Sequence, residues 1–570
     1  MTRPTDGETC TGGDLLLETC AQAGVKYVLI NAGTDYPAIL EAAAKRQSEG
    51  TQWPKLLVVP HELVAVSMAH GYAALTDEPQ VVMVHALPGT ANACGGIINA
   101  SRAMIPMIVH AGRTPITEHG MSGSRNLPIH WAQESRDQAA IVREFVKWDY
   151  EIRETQQVPE IIVRARKIAL TEPKGPVYIT FPRERTTERV PKPPTVILDR
   201  YTPPSPPQAD TTALAKAAEL LTMARQPIIV TKRLGRDVSA VGELVKLAEL
   251  LAIPVCGSIA DYVNFPNNHP LAIPTLLSNA DVVFVIDSDV PWIPSKFKPK
   301  DSAKIIQLDI DPSYVAYPFW GFPAHLAITG TSRLALPLLV ELCKRKITGD
   351  LEHVISERRT QVKQMHDQWR ADLIEQARKA SSDYPINPIW LSHCIGELKD
   401  DTMIIVNEYD FNPYHANFAT PGTYFFEPSA SCLGWGIGAA MGAKLARSQS
   451  TVCATVGDGA YIFSNPTASH FVATAYKIPI LTVIYNNESW GAVRSAIQET
   501  YPEGLCVKSG NFIGSELKPS PRFELVAEAH GAYALAVTEP RQLLDALKAC
   551  IDEVNEHKRS ALLNVKCLIA

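Results

Sequence analysis

Residues 451–493 read TVCATVGDGAYIFSNPTASHFVATAYKIPILTVIYNNESWGAV, two strand-like runs with a helical run between them. Val452 to Val456 is short, apolar and β-branched, as a buried parallel strand requires. It ends in Gly457-Asp458-Gly459, where small residues let backbone N–H groups approach an anion. An amphipathic segment follows to about Tyr476, and a second run, Ile480–Tyr485, ends in Asn486-Asn487. In a βαβ crossover both strands finish at the same sheet edge, so Asp458 and Asn487 are expected to converge there. A carboxylate, an amide oxygen and a main-chain carbonyl make an all-oxygen site, suited to Mg²⁺ or Ca²⁺ holding a diphosphate. Gly-Asp-Gly alone is usually an ordinary turn; the Asn pair at strand spacing gives it weight.

On either side of that stretch the chain keeps alternating. Strands are expected at Tyr27–Ile30, Leu56–Val59, Val81–His85, Met107–His110 and Val177–Phe181, with a helix over Asp14–Ala23 and another after Glu62. Asn31–Thr34 and Leu87–Asn92 read as loops at strand ends. Residues 186–210 are proline-rich and polar, a linker composition. Strands follow at Pro227–Thr231, Ile253–Val255, Val282–Ile286 and Lys304–Leu308, then a charged helical stretch, Lys344–Ala380. The expected fold class is α/β, with three doubly wound parallel-sheet domains at 1–185, 211–345 and 386–570, a linker at 186–210 and a helical connector at 346–385. There is no short-period repeat, although the first and third units share one layout.

Hydrophobic content of 46% and charge of 20% describe an ordinary globular chain. With 54 basic and 60 acidic residues the net charge is −6, which favours neither nucleic acid nor a membrane surface as partner. No apolar run reaches membrane-span length. Eleven cysteines without a CxxC pattern imply reduced thiols, and the N-terminal residues resemble neither a signal nor a transit peptide, so a cytoplasmic location is expected.

The Gly-Asp-Gly, gap, Asn-Asn pattern resembles the signature of thiamine diphosphate (ThDP) enzymes, specifically the decarboxylases and carboligases with pyrimidine-binding, central and diphosphate-binding domains. Asn487 follows Asp458 by 29 positions, about two more than is usual, and the surplus falls in Phe463–Thr467 around the Asn465-Pro466 turn. The resemblance implies that Glu62, in HELVAVSMAHGYA, hydrogen-bonds the cofactor pyrimidine and drives its imino tautomer; taken alone, a first-turn glutamate usually just complements a helix dipole. It implies that Leu433, in SASCLGWGIGAAMG, wedges between the cofactor rings, a proximity device. The Ser431 carbonyl would then take a hydrogen bond from the aminopyrimidine. Diphosphate contacts are assigned to Gly457, Gly459, Ala460 and the loop Tyr409, Asp410 and Phe411; metal ligands to Asp458, Asn487 and the main chain of Ser489. Asp410 departs from the small hydroxyl residues common there.

On the substrate side, HALPGTANACGGIINA (85–100) resembles benzoylformate decarboxylase, placing His85 over the reacting carbon as a proton carrier and Thr34 at a substrate-contacting serine. A strand-end histidine satisfied by backbone is the bland alternative. The residues 289–294 supply no second catalytic histidine, and no adjacent histidine pair accompanies His110. Gln133 resembles a glutamine of acetolactate synthases. No match to their flavin-contacting motifs is found, so no FAD is expected.

These implications amount to a ThDP- and Mg²⁺-dependent (or Ca²⁺-dependent) non-oxidative 2-oxo acid decarboxylase or carboligase, working through a ThDP-bound enamine, with an aldehyde or ketone as optional acceptor. The rivals are an acetolactate synthase using pyruvate and a non-catalytic regulatory subunit of the same fold. Glu62 and Asp458 lie in different domains, so a homodimer or homotetramer with active sites at the subunit interface is expected.

Overall fold

The computed structural model describes residues 9–51, 53–274 and 277–569. The first eight residues, assigned above to the first unit, lie outside them. Each of three units is built on an all-parallel sheet, the arrangement that βαβ alternation imposes. The first sheet runs, edge to edge, Lys55–Val58, Tyr27–Asn31, Val81–Val84, Met107–Arg113, Pro176–Pro182, Asp149–Glu151. The third runs Tyr424–Phe426, Ile404–Glu408, Val452–Gly457, Leu481–Asn486, Ala561–Lys566, Tyr533–Val537. Ranked by chain order within each sheet, both read second, first, third, fourth, sixth, fifth, so the shared layout is a shared topology. The second sheet, Val255–Cys256, Pro227–Thr231, Val282–Ile286, Lys304–Asp309, Leu326–Thr329, starts with the same reversal.

In all three the first strand lies between the second and the third. Strand order therefore reverses at that point, and a crevice opens beyond the carboxyl ends of the first and third strands. In the first unit those ends lead to Asn31–Asp35 and to His85. In the second they lead to Lys232 and to Asp289, and in the third to Tyr409–Asp410 and to Asp458.

The first and third units share one core. Helix Glu62–Thr76 packs lengthwise on helix Gly436–Ala446, and the contact is made by small residues. A Cβ on Gly71 would strike the carbonyl of Ala439, and one on Gly442 that of Met68, so the two backbones touch. Closed in on all sides, Glu62 through Ala73 are buried without a break.

Three expectations need correction. Leu87–Asn92 is not a loop: helix Ala86–Arg102 begins immediately after His85. Pro88 sits in its first turn, where a missing N–H costs nothing because that group has no intrahelical partner anyway. Within 186–210, Arg189–Pro191 forms an antiparallel pair with Thr9–Thr11 and closes the first unit. The connector is a 32-residue helix, Gly349–Ala380, preceded by a separate helix, Ser332–Lys344. Among the described residues no helix is long and apolar enough to cross a membrane. Cys20, Cys94, Cys343, Cys394, Cys432, Cys453, Cys506, Cys550 and Cys567 are free thiols.

Candidate active site

The third unit's switch point collects oxygen. Asp458 opens helix Asp458–Phe463; its Oδ1 accepts from Gly459 N at 2.8 Å, and the amides of Glu488 and Ser489 also face its carboxylate. Asn487 turns with it, its Oδ1 accepting from Ser489 N at 3.0 Å. The convergence expected from strand spacing is thus present. Helix Pro466–Ala475 starts after Asn465, which takes a left-handed φ of 49° and makes the turn expected there. Gly459 lies against the Trp490 ring, which a Cβ there would have to displace. Asp410 approaches from the neighbouring strand end. Burial and the charge of Asp458 push Asp410 up to about 6, and burial pushes Asp458 to about 6 against the pull of its amide donors. The Asp458 carboxylate, the Asn487 amide oxygen and main-chain carbonyls are a donor set for a hard divalent cation. Among the described residues no group of three or more His, Cys, Asp or Glu is arranged to hold a metal ion.

Backbone strain concentrates at the same edge. Tyr409 (φ 69°), Asp410 (φ 68°), Ser431 (φ 54°) and Glu488 (φ 56°) are all left-handed without being glycine. Ser431 is held by Tyr409, whose hydroxyl lies 2.6 Å from its Oγ, and by Glu427, whose Oε1 accepts from that Oγ at 2.8 Å. Beyond it, half-buried Leu433 rests on the shared core. Glu408, fully buried, accepts from the amides of Gly434, Trp435 and Gly436 at 2.6–3.2 Å. Phe411 faces away: its ring is buried beside Phe418 and Tyr424, and its amide donates to Tyr409 O.

Burial first, and the nearby Glu408 charge second, push Glu427 from 4.5 up to about 8. The folded chain thus holds a proton there that the unfolded chain releases above its ordinary pKa. The resulting stabilisation is complete below pH 4.5 and is lost as pH rises through about 8, on the order of 5 kcal/mol in all. Glu427→Gln keeps the neutral shape. It is expected to raise the melting temperature at pH 9 while changing it little at pH 5, as read by calorimetry across that range.

The first unit's switch point is a second polar cluster. Glu62 is buried and gripped on both oxygens: Asn31 Nδ2 donates to Oε1 at 2.8 Å and Asn92 Nδ2 to Oε2 at 3.2 Å. Beside it His85 Nδ1 lies 2.6 Å from Asp35 Oδ1, while Asp35 Oδ2 accepts from Ala86 N at 3.0 Å. Asp35 is 4% exposed, and its hydrogen bond outweighs burial to raise the imidazole's pKa. A Cβ on Gly33 would enter the His85 ring, and one on Gly112 would enter the Asp35 carboxylate, so two glycines make room for the pair. Thr34 Oγ1 is 3.4 Å from His130 Nε2, whose Nδ1 accepts from Asn126 N at 3.2 Å. Gln133 stands next to His85, its Oε1 buried. His110, by contrast, is a core residue mid-strand, bonded to the Tyr36 hydroxyl at 3.1 Å.

Asp35, Asn31, Asn92 and His130 went unnoticed in the sequence. Asp35 did carry a signal, as an acid adjoining Thr34 in a strand-end loop. Within one chain no hydrogen bond or ion pair among the described residues joins Glu62 to Asp458, Asn487, Ser431 or Leu433.

Known proteins show the same three-part plan. "Thiamine pyrophosphate enzyme, N-terminal TPP binding domain" matches residues 10–141, the central domain of that family 214–339, and the C-terminal TPP binding domain 410–565. The chain is 25% identical to the acetolactate synthase isozyme 3 large subunit of Escherichia coli, over 97% of this chain and 94% of that one. It is 26% identical to benzoylformate decarboxylase of Pseudomonas aeruginosa, over 86% and 88% respectively. In fold it resembles the ThDP-dependent 4-hydroxybenzoylformate decarboxylase of Rhodococcus jostii RHA1, with a TM-score of 0.78, 21% identity and coverage of 98% and 100%.

Proposed function

The chain belongs to the thiamine pyrophosphate enzymes, and from that premise we propose that it is a ThDP- and Mg²⁺-dependent, non-oxidative decarboxylase or carboligase of a 2-oxo acid. One observation carries the substrate side of this reading: His85, fixed by buried Asp35, shares a switch point with the doubly gripped Glu62. An imidazole so anchored presents Nε2 to a reactant and keeps its Nδ1 on the carboxylate.

Asp458, Asn487 and the Ser489 main chain would hold the cation, and Gly457, Gly459, Ala460, Tyr409 and Asp410 would line the diphosphate. Leu433 and the Ser431 carbonyl would fix the aminopyrimidine, and Glu62 would hold a proton at its ring nitrogen. Once bound, the cofactor supplies the carbanion and the electron sink for lost CO₂. His85 would move a proton at the reacting carbon, with Thr34 and Gln133 orienting the donor. Glu62 and Asp458 lie in different units, which supports a site completed by a second copy, hence a homodimer or homotetramer. A cytoplasmic location accords with the free thiols.

A panel of 2-oxo acids, with and without aldehyde acceptors, followed by CO₂ release and product analysis, tests the reading. An aromatic or branched donor is expected to lead. Acetolactate from pyruvate alone, without added flavin, would instead make the chain an acetolactate synthase.

The pH profile offers a sharper check on His85. Its raised pKa means that the protonated form persists to higher pH than in a free imidazole. Protonation by His85 therefore fails on the alkaline side. Asp35→Asn should move the alkaline limb of kcat to lower pH, and an unmoved limb would remove His85 from the proton path.

A further inference from the structure

The segment from Glu427 to Gly436 is tied down by every unit of the fold. From the first, Asn99 Nδ2 donates to Cys432 O at 2.8 Å, and Cys432 N donates to Asn99 Oδ1 at 3.1 Å. From the third, Tyr409, Glu427 and Glu408 hold Ser431 and the amides of Gly434–Gly436. The second unit supplies its switch-point pair. Lys232 Nζ donates to Ser429 Oγ at 2.7 Å and to Asp289 Oδ1 at 3.0 Å, and Ser429 Oγ donates to Asp289 Oδ2 at 3.0 Å. The Asp289 side chain is fully buried and also accepts from the Tyr317 hydroxyl at 2.9 Å and Val290 N at 2.8 Å. Just upstream, Tyr262 bridges Phe425, and Phe426 N donates to Asp261 O at 2.9 Å. The second unit thus grips the strand before the loop and then the loop itself.

Ser431 is left-handed at φ 54°, a conformation unfavourable for a non-glycine residue that survives only where its surroundings impose it. Ser429 is two residues away. In the second unit the crevice that generally receives a ligand holds an internal ion pair aimed at this loop. We propose that Lys232 and Asp289 are positioning residues that set the main chain of Ser431–Leu433 through Ser429, so that the second unit shapes the aminopyrimidine's surroundings without touching the cofactor. This inference rests on the roles given above to Ser431 and Leu433.

The test compares Ser429→Ala, Lys232→Met and Ser429→Thr as holoproteins. Cofactor affinity is read by fluorescence titration with ThDP and Mg²⁺, tautomer balance by the circular dichroism of the bound cofactor, and turnover with the preferred 2-oxo acid. Ser429→Ala and Lys232→Met are expected to lower kcat roughly tenfold to a hundredfold with little change in donor KM, and to shift the tautomer bands. Ser429→Thr, which keeps the hydroxyl, should restore both. Wild-type kcat and wild-type bands in the first two variants would overturn the proposal. So would a loss of turnover that merely tracks a loss of bound cofactor or of assembly, for then the ties only hold domains together. A wild-type holoprotein with neither tautomer bands nor turnover of any 2-oxo acid would fail earlier, at the reading of Ser431 and Leu433.

Discussion

Glu62→Gln is expected to lower kcat by roughly a hundredfold to ten-thousandfold, the range that a positioned proton-transfer group contributes. Both carboxylate oxygens already accept from asparagine amides, Asn31 at 2.8 Å and Asn92 at 3.2 Å. A glutamine turns one of its ends into a donor, which then faces another donor across a buried contact, so one of the two bonds is lost as well. The side chain keeps its length and the helix its first turn, so folding and cofactor retention should change far less than turnover. Two measurements separate the effects. Steady-state kinetics should show the loss in kcat, and NMR should show slowed exchange of the thiazolium C2 proton in the bound cofactor. Turnover unchanged by the substitution would leave Glu62 as a first-turn acid complementing the helix dipole and nothing more.

Much of this arrangement is legible from residue order. Strand Val452–Gly457, the turn at Asn465 and strand Leu481–Asn486 fall within a residue or so of where the apolar runs and small residues put them, because burial on both faces of a parallel sheet makes those runs continuous. The Asp458–Asn487 meeting follows from crossover geometry alone. Other features have no local signature. Strand Leu326–Thr329 is a short edge with alternating exposure and escapes notice beside its apolar neighbours. The helix starting at Ala86 is hidden by proline and glycine, which look like loop until the unpaired first-turn amides are counted. The Asp35–His85, Lys232–Asp289 and Asn99–Cys432 bonds join residues 50 to 333 positions apart, so only the folded chain reveals them. The Phe411 ring likewise fills the core beside Phe418, a placement that its position in a loop does not announce.

Asp458→Asn should be the most damaging change for cofactor loading. The carboxylate is the one anionic oxygen that the Gly-Asp-Gly turn offers a cation, and an amide in its place removes that charge. A loss of at least a hundredfold in apparent affinity for ThDP with Mg²⁺, about 3 kcal/mol, is expected. Asp410→Asn is the control that tells charge from crowding. Asp410 and Asp458 face each other, both pushed up to about 6 by burial, with their mutual repulsion adding to the shift at Asp410. Removing the Asp410 charge eases that repulsion and the one toward an incoming diphosphate, so its affinity for the pair should hold or improve. Thermal unfolding gives a readout independent of catalysis, because a ligand at a hundred times its Kd stabilises the folded state by about 2.7 kcal/mol. Chelator-stripped wild type and Asp410→Asn should both gain that stabilisation when Mg²⁺ and ThDP are returned together. Asp458→Asn should gain almost none at the same concentrations, and an undiminished gain would show that the cation is held somewhere other than at this strand end.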